Sequence, residues 1–135
     1  MNPRLFVALF SAPLLLTGLA AQDLRLGTEV HGTTITATVA GAAAGDLVVL
    51  VLGLDRSGLE LPGGQVLGVA PDLITGCSLA RGEGALAIDV KLPGLERDLV
   101  CFAQAVRVCP SLPLEDAAAI GLSPVRELRV PAIRR

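Results

Sequence analysis

The chain has a single histidine, His31, and four serines downstream of it, Ser57, Ser78, Ser111 and Ser123. A nucleophilic hydrolase would need one of those serines, His31 and an acid to meet in space. None of the serines sits in a Gly-x-Ser-x-Gly elbow, the strained strand-to-helix turn that exposes such a nucleophile. "GCSLA" and "RSG" match it only superficially. Cys77, Cys101, Cys109 and His31 are too scattered for a zinc site, which needs three or four ligands, usually as closely spaced pairs. "APDLITG", "LDRSGLE" and "PLEDAAA" each carry one or two carboxylates, well short of a dedicated calcium loop. A carboxylate pair for glycoside hydrolysis could be drawn from thirteen acids, but no groove-lining aromatics accompany them. "RGEG" at 81–84 reads as a tight turn, since a phosphate loop ends its glycine-rich run with Lys-Ser/Thr. No cofactor, metal or catalytic set is therefore assigned.

The elements around these residues read as strands. "TTITATVAG" alternates Ile35, Ala37 and Val39 against Thr34, Thr36 and Thr38, the pattern of a half-buried strand. "LVVLVLGL" is apolar on both faces and rich in β-branched residues, which suits a strand covered on both sides. The spacing predicts strands at 33–40, 47–54, 65–69, 85–92, 99–108 and 124–130, with a weaker first strand in "DLRLGTEV". "LEDAAAIG" offers one helical turn within a loop, capped by Asp116 or a neighbour. About seven short strands in one domain predict an all-β, antiparallel sandwich of the immunoglobulin or fibronectin type III kind.

"MNPRLFVALFSAPLLLTGLAA" has the build of a secretory signal peptide: Arg4, an apolar stretch from Leu5 to Leu16, then Gly18 and Ala20 as a small-x-small cleavage pattern. That stretch is shorter than the roughly 20 apolar residues a membrane span needs. The expected division is 1–20 as signal and 21–135 as the β domain, secreted or periplasmic, with no membrane span after cleavage. Loss of Arg4 from eleven basic residues, against thirteen acidic ones, leaves about −3 on the mature chain. No basic face is then available for nucleic acid. Phe6 and Phe10 leave too, so Phe102 is the one mature aromatic side chain. Aromatic stacking platforms for sugars or bases are thereby excluded.

The order "LVVLVLGL", "LPGGQVLGVAPDL", "LVCFAQAVRV", "GLSPVRELRVP" resembles an uncharacterised β-sandwich domain of exported proteins from some environmental bacteria. The resemblance spans 45–131 and rests most on Phe102 with Gln104 in "FAQA", and on Gly121-Leu122-Ser123 before the last strand. It implies the fold and export, and it implies no catalytic residue. Related domains often carry Asn where this chain has Pro124.

Alternating strand directions predict that connections 41–46, 70–84 and 109–123 gather at one end of the sandwich. That end would carry the candidate binding residues Asp46, Asp72, Arg81, Glu83, Glu115 and Asp116. Cys101 and Cys109 share one extended strand and are too far apart to bond, so Cys77 must take part in any internal bridge. Cys77 to Cys109 is the expected disulfide, with Cys77 to Cys101 the alternative. Closing about 33 residues would contribute on the order of 3–4 kcal/mol. On strand 99–108, Val100, Phe102, Val106 and Val108 form the heavier apolar set and are expected to face the core. Gln104 falls among them and needs a backbone partner. Cys101 would then be a spare thiol on an outer, small-residue face suited to association, unless a long loop or the N-terminal segment covers it. The overall reading is a secreted, non-catalytic module for protein association or a structural role in the envelope or extracellular space. Its partner would be a second copy or an envelope protein; the alternative is a small secreted hydrolase using His31 or a carboxylate pair.

Overall fold

A computed structural model describes residues 24–75, 78–80 and 85–133. The expected signal segment 1–20, Cys77, Arg81 and Glu83 lie outside the described residues. The described chain is all-β with antiparallel pairing throughout, apart from a 3-10 turn at Pro62–Gly64. In chain order the strands are β1 (Arg25–His31), β2 (Thr34–Ala40), β3 (Leu47–Gly53), β4 (Arg56–Glu60), β5 (Val66–Val69), β6 (Leu73–Ile74), β7 (Ser78–Leu79), β8 (Leu86–Lys91), β9 (Leu99–Val108), β10 (Ile120–Leu122) and β11 (Arg126–Val130). Among the described residues no helix is long and apolar enough to cross a membrane.

One sheet has the order β1-β2-β8, with a two-residue turn at Gly32-Thr33 fixing the register His31 opposite Thr34. Gly32 takes φ 63°, the left-handed conformation that glycine adopts without a Cβ clash. The second sheet centres on the pair β9-β3, with β6 and β7 on the far edge of β3 and β10 and β11 both on the far edge of β9. The last strand thus arrives in two pieces, where the sequence suggested one. Ser123 carries the ladder across the break: its N–H donates to Ala105 O at 3.0 Å, and its Oγ accepts from Ala105 N at 2.9 Å. Pro124 follows without an N–H to donate.

The two sheets share one core, in which Leu26, Ile35, Ala37, Val39 and Ile88 meet Val48, Leu50, Leu52, Leu128 and Val130. From β9 the side chains in this core are Cys101, Ala103 and Ala105. The expected facing of this strand is therefore reversed, and Val100 is exposed. The reason is a third layer. The β4-β5 hairpin, of which β4 was not anticipated, folds over the outer face of β3 and β9 and makes a second apolar cluster there. Val51, Leu67 and Val69 are its buried centre, with Phe102, Val106, Leu122 and Val125 packed around them. Strand β9 is covered on both sides, so the heavier row marks the hairpin side and the lighter row the sheet-to-sheet side. Small residues there let the facing sheet approach closely.

The hairpin also changes where the chain returns. Because β4 and β5 run out and back, Ala70 comes home to Asp55 (N to O, 2.9 Å) at the end where β3 finishes. Residues 73–74 and 78–79 pair along the β3 edge, the latter at the opposite end, where Ala80 exchanges hydrogen bonds with Gly45 and Asp46. The loops 41–46 and 109–119 do meet at that end.

Candidate functional site

Of the candidate acids, Asp46 reaches the expected end but is buried. Its Oδ2 accepts from Ala43 N at 2.9 Å and lies 3.7 Å from Nη1 of Arg107. Both side chains are nearly sealed from water, 6% and 5% exposed respectively. Asp46 and Arg107 thus hold the 41–46 loop onto β9, a role the sequence reading did not give either residue. The sequence carried no signal for it, since Arg107 shares the row of β9 with Cys101, Ala103 and Ala105 that was expected to face outward; once that row is inward, the guanidinium needs a buried carboxylate. Among the described residues Nε of Arg107 has no hydrogen-bond partner. The guanidinium lies against Gly121, where an added Cβ would come 2.5 Å from Nη2.

Asp116 and Glu115 are exposed in the 109–119 loop. Asp116 Oδ1 accepts from Ala118 N at 2.9 Å, and Ala119 N donates to Asp116 O at 3.0 Å, so Asp116 closes a hydrogen-bonded turn where one helical turn was expected. Asp72 is at the other end from these two, a correction that follows from the hairpin. Its Oδ2 accepts from Leu54 N at 2.8 Å and ties the base of β6 to the end of β3.

The cysteines are unequal, in a different way from the one expected. Cys101 is a free thiol, 4% exposed, in the main core, and it lies on no outer face. Burial pushes its thiol pKa up. Cys109 is a free, half-buried thiol 3.2 Å from Ser111 Oγ. Ser78 pairs with Val48, whose other partner is Arg107. At the usual strand spacing of about 4.8 Å, two spacings across the sheet and two residues along it put Ser78 roughly 12 Å from Cys109. With the protein reduced and native, iodoacetamide should alkylate Cys109 at least a hundredfold faster than Cys101, read by peptide mass mapping. Equal rates would mean that Cys101 is not in the core.

His31 stands on the β1-β2 turn, 73% exposed, with Nε2 3.4 Å from the equally exposed Glu29. Three of the four serines have other partners: Ser57 Oγ accepts from Leu59 N, Ser111 meets Cys109, and Ser123 Oγ is engaged by Ala105 N and Pro124 O. Among the described residues no group of three or more His, Cys, Asp or Glu side chains converges as a metal site.

Gln104, for which a backbone partner was expected, has two. Its Oε1 accepts from Gly68 N at 2.8 Å, and its Nε2 donates to Ser123 O at 2.7 Å. The small-residue row of β9 that carries Cys101, expected as an outer association face, packs in the core between the sheets, and the row that does face outward lies beneath the hairpin that Gln104 ties down.

Exposed apolar surface is found elsewhere. At the end of β3, Leu54 is 54% exposed and Leu73 of β6 is 42% exposed. They flank a crevice of about 110 Å³ that opens between the sheets, walled by Ile35, Leu52, Leu92 and Leu99, with Cys101 also in its lining and Asp72 at the charged side. On the other face of the same edge strand Ile74 is 61% exposed. No run of sequence marks this corner, since its residues come from five separate segments. No family model, curated protein or solved structure matches the chain.

Proposed function

We propose that the chain is an exported, non-catalytic β-sandwich module that associates with a second copy of itself through the corner formed by Leu54 and Leu73. An immunoglobulin or fibronectin type III-like arrangement is supported by the strand orders β1-β2-β8 and β10/β11-β9-β3-β6/β7, which this reading takes as the A-B-E and G-F-C-C′ sheets. In that frame the β4-β5 hairpin is an insertion between C and C′. Export is supported by the arrangement of residues 1–20.

The observation that carries the association reading is a knob and a hole in one patch. A protruding leucine and an aliphatic crevice of about one side chain's volume stand side by side. A patch containing both is self-complementary, which is what a two-fold interface requires. Aliphatic contacts of this kind also suit a chain whose mature part has neither Trp nor Tyr. Leu54→Lys places a charge on the exposed knob without touching the core. Light scattering at rising concentration should then give the mass of a monomer for this variant and of a dimer for the parent. Equal masses for both would exclude this corner, and capture of an envelope protein by a monomeric parent would replace the second copy as occupant.

A further inference from the structure

We infer that the β4-β5 hairpin is a hinged cover that opens as one unit over the Phe102–Val106 face, while the two-sheet core stays folded. The hairpin forms its own two-stranded sheet and shares no strand ladder with the sheet it covers. Both its feet stand at one end, where Leu54-Asp55 leads in and Ala70 leads out, and the 2.9 Å bond from Ala70 N to Asp55 O closes the base. A flap with both feet together can swing without unthreading the chain.

What holds it down is limited and separable. Its apolar contacts belong to the second cluster, distinct from the core between the sheets, so lifting the hairpin leaves that core intact. Strand β4 buries little: four of its five residues are exposed, and its pairing with β5 is interrupted between Arg56 and Leu59. An isolated two-stranded hairpin is marginal in water, so the attachments decide its position. Three are visible. At the tip, Gly63 lies so close to the 114–116 loop that an added Cβ would be 2.9 Å from Asp116 O. At the base, the Arg56 guanidinium stands 5.9 Å from the Phe102 ring centre, aimed by a 3.0 Å bond within the hairpin from its Nε to Gly68 O. In the middle, Gln104 holds Gly68 N with one end of its amide and Ser123 O with the other. Gln104 is the latch: one buried side chain of β9 ties the cover to the β10-β11 junction. Opening uncovers Val51, Phe102 and Val106 and leaves the Gln104 amide without its Gly68 partner.

Native-state hydrogen exchange tests this directly. In the parent protein the amides of 66–69 should exchange faster than those of Leu50 and Ala103, and through an opening with weak denaturant dependence. Gln104→Met keeps the length of the side chain and removes its hydrogen bonds. It should speed exchange at 66–69 about tenfold and leave Leu50 and Ala103 unchanged. The inference fails if the hairpin amides of the parent exchange only with the core, at the same rate and denaturant dependence. It also fails if the variant accelerates both sets equally. Should Gln104→Met not fold, the denaturant series on the parent decides by itself.

Discussion

Arg107→Leu should lower the free energy of unfolding by about 3–5 kcal/mol, because it leaves Asp46 buried without its counter-charge. The pair stands with both side chains nearly sealed, and the nearest approach of charge is the 3.7 Å contact to Nη1. Asp46 also anchors the 41–46 loop, through its carboxylate to Ala43 N and through its backbone O, which accepts from Ala80 N. Urea denaturation of each single variant, Arg107→Leu and Asp46→Asn, and of the double variant separates the causes. If the buried charge is responsible, the double variant should recover much of the loss, since its polar amide still satisfies the loop. A double variant as unstable as the sum of two singles would put the cost in packing against Gly121.

The second large effect is expected at Gly53. An added Cβ would stand 1.9 Å from Ala70 O and 2.9 Å from Val69 Cγ1, both in the returning foot of the hairpin. Backbone cannot yield as a side-chain tip can, so Gly53→Ala should cost about 2–3 kcal/mol by overpacking. The loss should be local. Thermal unfolding would fall only as far as the hairpin contributes, and tryptic cleavage at Arg56 should rise sharply while the β9 core resists. A variant whose cleavage and stability match the parent would mean that the hairpin foot is not packed on β3 as described.

How far this arrangement was legible depends on which strands had one wet face. Strand β2 has a polar threonine row, and its limits were read to within a residue. Strand β9 was delimited at 99–108 from its apolar content and flanking Asp98 and Pro110. Its facing was not legible, because both faces are covered and side-chain volume does not tell one dry layer from another. Strand β4, "RSGLE", has no apolar rhythm, since only the hairpin as a whole is held down. Strands β6 and β7, at two residues each, carry no period at all. Missing β4 turned the following connection end for end and carried Asp72 to the wrong end.

The site followed the same logic. Gln104 among apolar neighbours announced that it needed partners, and the structure supplies Gly68 and Ser123. Arg107 gave no such signal, because its row of β9 was expected to face outward and its carboxylate partner lies sixty-one positions away. The Leu54 and Leu73 corner gave none, because it exists only once β6 is laid on β3 and the sheets part beside it.

The central claim is association of two copies through that corner, and sedimentation equilibrium of the mature parent protein from micromolar to millimolar concentration tests it most directly. The expected result is a reversible monomer–dimer equilibrium that the Leu54→Lys substitution shifts wholly to monomer. A parent that remains monomeric throughout, or a dimer indifferent to Leu54→Lys, would contradict it.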